Sequence, residues 1–266
     1  MPKFTVTSYT DDSGIWAESA DGEGIHAVSN SAVFAAIAAI QVNESPGAHG
    51  AAVYAECRGE GAAIAGFQKH TTSSGNAIYG ESEGQGDAIA GIQRNPNSSK
   101  AGIYGEHISG GTAGFFRGNV IVTGDISFPG ADCAEHFTIG EDAAADPGTV
   151  MALTDGGVLV PAAVAYERKV VGVVAGAGSF RTGIVLDKQD YEDPRRRPIA
   201  LVGKVFCKAD ARYGPIEVGD LLTSSDTAGH AMCARDPSKA FGAVIGKAMA
   251  PLNKGVGLVP AVIALQ

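Results

Sequence analysis

The feature that most constrains this chain is a segment that returns at a fixed interval. Val53-Tyr54-Ala55-Glu56 comes back as Ile78-Tyr79-Gly80-Glu81 and again as Ile103-Tyr104-Gly105-Glu106, with a step of 25 residues each time. Half-period echoes lie between them: Ala63-Ile64-Ala65-Gly66-Phe67, Ala88-Ile89-Ala90-Gly91-Ile92 and a degenerate Ala113-Gly114-Phe115-Phe116. Weaker copies stand upstream at Gly14-Ile15-Trp16-Ala17-Glu18 and Gly24-Ile25-His26-Ala27-Val28. A constant period of this length marks a repeat architecture.

Each copy is a short alternation of apolar and small residues, bounded by Gly, Ser, Asn and Asp. Alternation at period two predicts a strand, and such flanks predict turns. Two strands per period make a narrow coil, a β-helix or β-solenoid. Its inward positions are mostly Ala and Gly, so one coil buries little surface alone. Stacking along an axis, with several chains associating about it, is the physical remedy. Ile64, Ile78, Ile89 and Ile103 are the expected core of that association. A monomeric sandwich with similar strands has no reason to keep the interval.

Charge follows the same division. Of the net −9, residues 1–131 hold 6 basic and 13 acidic side chains, leaving the remainder close to balance. This argues against a nucleic-acid partner. Glu18, Glu56, Glu81 and Glu106 fall along one face of the coils, as a solubilising stripe or, less simply, a cation site. Met1 to Thr10 has one lysine and no apolar core of a secretory signal, and no run is long enough to span a bilayer. Synthesis in the cytoplasm without membrane insertion is the expectation. Cys57, Cys133, Cys207 and Cys233 are widely spaced, with no C-x-x-C, and are expected as free, mostly buried thiols.

Phe128-Pro129-Gly130 breaks a β segment over residues 118–126 and sets the expected boundary: a repeat shaft over 1–131 and a compact all-β domain over 132–266. Ala32 to Ile40 is ambiguous between helix and strand. Beyond Asp132 the predicted strands lengthen and gain valine: 148–153, 158–164, 170–175, 199–207, 241–249 and 257–265. Several are near-continuous apolar runs, as in strands buried on both faces. Gly214-Pro215 and Gly219-Asp220 punctuate them. No amphipathic helix is evident. Such distinct strands specify their register better than the small-residue coils do. The C-terminal half is therefore expected to fold and associate first.

The coils, followed by Phe115-Phe116-Arg117-Gly118-Asn119-Val120-Ile121-Val122, resemble the shafts of phage tail fibres and neck appendages. The C-terminal half resembles the auto-processing intramolecular-chaperone domain of such appendages. That likeness is carried by Asp132-Cys133-Ala134-Glu135-His136-Phe137, by Ile199 to Val205, by Gly219-Asp220-Leu221-Leu222 and by Gly246-Lys247-Ala248. The resemblance implies a homotrimer on a virion or phage-tail-like particle. Other particle proteins, and a cell-surface glycan or receptor, would be its partners. Asp132, Glu135, Gly219 and Asp220 are its family-motif positions. In the family, a serine three residues before the aspartate takes part in self-cleavage. Here that position is Pro129, the aromatic position is Cys133, and Ser127 is out of register. The resemblance thus implies a domain that does not cleave.

Other chemistry is thin. On a strand, Asp132, Ala134 and His136 share one face while Cys133 and Glu135 share the other, which splits a would-be metal set. Glu135 with His136 is read as a hinge pair before an acid–base pair. In a trimer His107 would meet its copies near the axis, where an ion is the sharper alternative to an isolated histidine. Arg195-Arg196-Arg197 reads as a solvated loop balanced by Asp190, Glu192 and Asp193, with anion binding as the rival. No catalytic, cofactor or metal residues are assigned, since no P-loop, G-x-S-x-G or dinucleotide fingerprint is present. The leading reading is a structural and adhesive fibre protein. A glycan depolymerase or self-processing hydrolase is the enzymatic rival and would need paired carboxylates in a groove. A bacterial surface or filament module is the third.

Overall fold

The computed structural model of the chain describes residues 17–20, 23, 25–30, 35–42, 51–141, 143, 145–188 and 193–264. The upstream copy at Gly14 therefore lies largely outside the described residues, as do Ala32 to Phe34; residues 35–40 carry no helix. The chain divides into two compact units, Met1–Phe115 and Phe116–Gln266. Among the described residues the fold is all-β, apart from a four-residue helix and one 3₁₀ turn.

In the first unit, residues 51–115 run as short extended segments joined by turns, with no paired strand among the described residues. Every residue of 51–115 except Ser98 is exposed. The backbone–backbone hydrogen bonds of this stretch are turn bonds: Ser73 N–H to His70 O, Ser98 N–H to Asn95 O, and Gly110 N–H to His107 O. Polar side chains close the same turns. Gln68 Oε1 accepts from His70 N–H at 2.9 Å, and Gln93 Oε1 from Asn95 N–H at 2.9 Å. Ser73 Oγ accepts from Gly75 N–H, and Ser98 Oγ from Lys100 N–H, both at 3.1 Å. The Gln68 and Gln93 bonds, and the Ser73 and Ser98 bonds, stand one 25-residue sequence interval apart.

The second unit contains one ten-stranded sheet system. Its strands are β1 (Asp132–Thr138), β2 (Val150–Leu153), β3 (Leu159–Pro161), β4 (Val170–Val174), β5 (Ile184–Leu186), β6 (Arg196–Asp210), β7 (Leu221–Ser224), β8 (Ala231–Cys233), β9 (Val244–Ala248) and β10 (Val256–Ala264). A 3₁₀ turn spans Ala211–Tyr213, and α1 spans Pro237–Ala240 with Asp236 as its N-cap. Strand β6 is long because it serves two neighbourhoods. Its first half pairs with β1 and β4, and its second half runs antiparallel to β10 from Val202 to Asp210. The order β10-β9-β7-β8-β6, closed by the β6–β10 ladder, forms a five-stranded barrel.

The barrel interior alternates branched and small side chains: Val205, Cys207, Ala209, Leu222, Ala231, Ile245, Val259, Ala261 and Ile263 are all buried. Met151, Leu159, Val174, Ile199 and Ile139 make a second cluster between β2, β3, β4 and β6. Only one face of β10 joins the core, contrary to the expectation that such apolar runs are buried on both. Val256, Leu258 and Val262 point outward at 56%, 49% and 41% exposure, because a barrel of this size has a single interior. The cysteines are free, but only Cys207 is buried; Cys133 and Cys233 are half-buried and Cys57 is exposed. Among the described residues no helix is long and apolar enough to cross a membrane.

Candidate functional site

The repeat presents two chemically different faces. In each segment the isoleucine and the glycine two residues later share a side, since strand side chains alternate. A Cβ built on Gly66 would lie 2.8 Å from Ile78 Cγ1. One on Gly80 would lie 2.7 Å from Ile89 Cγ1, and one on Gly91 2.4 Å from Ile103 Cγ1. Ile78, Ile89 and Ile103 thus each rest on the glycine of the preceding segment, where an added side chain would clash. Within the single chain this contact covers little: Ile64, Ile78, Ile89 and Ile103 remain 63–70% exposed.

The opposite face carries Tyr54 with Glu56, Tyr79 with Glu81, and Tyr104 with Glu106. In each pair the phenol donates to the carboxylate, at 3.1, 2.6 and 2.9 Å. Those bonds hold the Tyr79 and Tyr104 phenols above the usual tyrosine range. Glu56 is held below the carboxylate range, chiefly by Arg58, whose Nε also donates to it at 2.8 Å.

At the start of β1 the chain is clamped by glycines. Gly130 lies against Gly183, and Gly203, at φ +108°, against Ala131 and Asp132. Ala131 N–H donates to Arg181 O, and Lys204 N–H donates to Ala131 O, both at 2.8 Å. Asp132, which is buried, accepts from Gly183 N–H through its carboxylate at 3.1 Å. Desolvation pushes its carboxyl above the ordinary range, against the pull of those backbone donors. Cys133 and Glu135 fall opposite Ile184 and Leu186 of β5. Along β1, Asp132 and Ala134 are buried while Cys133, Glu135 and His136 are half-buried.

Gly219 and Asp220 occupy a turn. Gly219, at φ +92°, donates to Ala248 O at 2.8 Å, and the Asp220 carboxylate accepts from Glu217 N–H at 2.8 Å. Cys233 Sγ lies 3.3 Å from the same carboxylate. These motif positions hold β7 against β9. His107 Nδ1 accepts from Gly111 N–H at 3.0 Å, so the ring closes this turn as an acceptor. Among the described residues no group of three or more His, Cys, Asp or Glu is placed to hold a metal ion.

The arginine loop is tied to its own acids and to nearby carbonyls, although Arg196 Nε is buried without a hydrogen-bond partner among the described residues. Arg195 pairs with Asp193, Arg196 pairs with Asp187 and donates to His136 O, and Arg197 donates to its own loop carbonyls. Asp190 and Glu192 lie outside the described residues. A cavity of about 450 Å³ opens beside Arg195, Arg197, Glu141 and Asp146. Sequence reading missed one buried network. Asp210, fully buried, accepts from Arg212 Nε at 2.9 Å and Thr227 Oγ1 at 2.6 Å, which holds its carboxyl far below the usual range. Asp210-Ala211-Arg212 was visible as a short acid–base spacing, but Thr227 lies 17 residues away.

No protein-family model matches the chain, and no curated protein matches it. Among solved structures it is similar to the pre-mature gene product 12 of bacteriophage phi29, at 14% identity and a TM-score of 0.37. That overlap covers 57% of this chain and 23% of the other, so the chain spans less than a quarter of that protein's length. A C-terminal fragment of the same phage protein overlaps at TM-score 0.34 and 14% identity, over 50% of this chain and all of the fragment. The N base of the phi29 head fiber gp8.5 overlaps at TM-score 0.25 and 19% identity, covering 50% and 90%. All three overlaps are below the level that marks a shared fold.

Proposed function

We propose that this is a structural and adhesive protein: a trimeric β-helical shaft joined to a β-barrel domain, on a phage or phage-tail-like particle. One observation carries the reading. Residues 51–115 repeat their turns at a fixed interval, yet leave the isoleucine side of every coil uncovered and form no ladder of their own. A regular backbone with apolar side chains on display is what a strand looks like when its partners are other chains. Fully burying four isoleucines contributes on the order of 6–12 kcal/mol per chain. This is one favourable contribution toward ordering a segment with almost no core of its own.

Residues 118–126 support the same reading. Val120, Ile121 and Val122 are exposed at 63%, 87% and 48%, so both sides of this extended stretch are apolar and open. In the barrel domain the outward side of β10, with the adjoining Val202 at 60% exposure, offers further apolar surface for association. That domain aids trimerisation and surface contact, and is retained rather than cleaved, because proline stands at position 129. The particle assignment rests on the resemblance of the coils and of the Asp132 and Gly219 motifs to appendage proteins. Other particle proteins, and a glycan or receptor on a host surface, are the partners. The test is the mass of the native particle in solution set beside the mass of its denatured chain.

A further inference from the structure

We infer that the outward side of the coils is a ladder of tyrosine–glutamate rungs that binds a neutral, linear, polyhydroxylated polymer, such as an uncharged glycan. The inference rests on the shaft reading above and names what the shaft holds and where. The isoleucine–glycine contacts assign the inner side, so the residues between them face out. Those residues are Tyr54, Glu56, Tyr79, Glu81, Tyr104 and Glu106, one pair per 25-residue period.

The chemistry of a rung selects its ligand. The rings are 81%, 70% and 78% exposed, and a flat aromatic face suits the C–H face of a sugar ring. Each phenol hydrogen is already committed to the neighbouring carboxylate. What remains to offer is acceptor capacity: lone pairs on the phenol oxygen and on the carboxylate. A partner must therefore be rich in O–H donors. It must also be uncharged or nearly so, because residues 1–131 carry 13 acidic against 6 basic side chains and repel a polyanion. Rungs that recur at a constant 25-residue interval match a partner that itself repeats, and several weak rungs add through effective concentration. The rungs are not equal in strength. Arg58 already occupies the Glu56 carboxylate, so the Tyr79 and Tyr104 rungs carry most of the binding.

The test is affinity electrophoresis of the full-length protein in native gels containing amylose, hydroxyethylcellulose or galactomannan, with the polyanion alginate as the charged counterpart. Retardation is expected in at least one neutral gel and not in alginate. The double variant Tyr79→Ala/Tyr104→Ala is expected to weaken it about tenfold, an aromatic hot-spot loss, and Tyr54→Ala less. Glu81→Gln/Glu106→Gln preserves shape and weakens it by removing the charged acceptors. Should the tyrosine variant fail to assemble, the glutamine variant decides. No retardation in any neutral gel, retardation untouched by the variants that assemble, or stronger retention by alginate overturns the inference. The assembled mass of each sample is measured alongside. A trimer without retention refutes the ladder alone, whereas a wild-type monomer refutes the shaft.

Discussion

Gly130 and Gly183 meet backbone to backbone: a Cβ on Gly130 would lie 2.1 Å from the Gly183 Cα. With Gly203 on the other side, the three glycines let the segment leading out of the repeat enter the barrel domain between β5 and β6. The buried Asp132 follows directly, so the clamp also sets where that carboxylate sits.

Gly130→Ala should therefore be costly. Relief needs backbone movement rather than a rotamer change, and overpacking of this kind costs about 1–3 kcal/mol. Gly156→Ala, whose added Cβ would find its nearest neighbour at 3.8 Å, is the matched control and should stay near wild type. Denaturant unfolding of both variants reads the difference directly.

Asp132→Asn should stabilise the domain at neutral pH. Desolvation raises the folded pKa of Asp132 above the ordinary 3.8, so the folded state holds the proton over a range where the unfolded state has lost it. Stability then falls as pH rises through that range and stays lower above it. Asparagine keeps an oxygen to accept from Gly183 N–H and carries no charge. Thermal unfolding at several pH values should show the variant gaining on wild type as pH rises past about 4.

Asp210 behaves in the opposite sense. Arg212 and Thr227 depress its folded pKa, so its contribution is fully present above the ordinary carboxylate pKa and is lost as pH falls through the lower folded value. Asp210→Ala should cost about 1–3 kcal/mol at neutral pH, with Arg212 largely exposed and able to hydrate. The gap between variant and wild type should narrow in strong acid. Equal destabilisation at every pH would show that packing, not charge, holds the 3₁₀ turn.

The denatured chain should remain at full length after purification and long incubation. Pro129 offers no nucleophile where the appendage family has a serine. Intact mass spectrometry checks this. A fragment beginning between Ser127 and Glu135 would mean that Ser127 or Cys133 has taken over that task.

Much of this architecture was legible in the sequence because its causes are local. The 25-residue interval can be read from Gln68 and Gln93, or Ser73 and Ser98, since those side chains close their own turns. The valine-rich strands β2, β4, β6, β9 and β10 follow from composition. Strands β5 and β8, with three residues each, do not; their pairing with β1, β6 and β7 gives them their form. Barrel closure depends on Val202 to Asp210 meeting Val256 to Ala264, a contact that nothing local encodes. The Asp132–His136 motif was visible, but the glycines that clamp it, Gly183 and Gly203, lie about 50 and 70 residues further on and gave no signal.

The central claim is that the coils are completed by other copies of the same chain. Analytical ultracentrifugation or light scattering of the native protein at micromolar concentration, beside the denatured chain mass of 27.0 kDa, tests it most directly. The expected result is a single species at three times the chain mass, abolished by Ile78→Asp/Ile89→Asp. A monodisperse, folded monomer would contradict it.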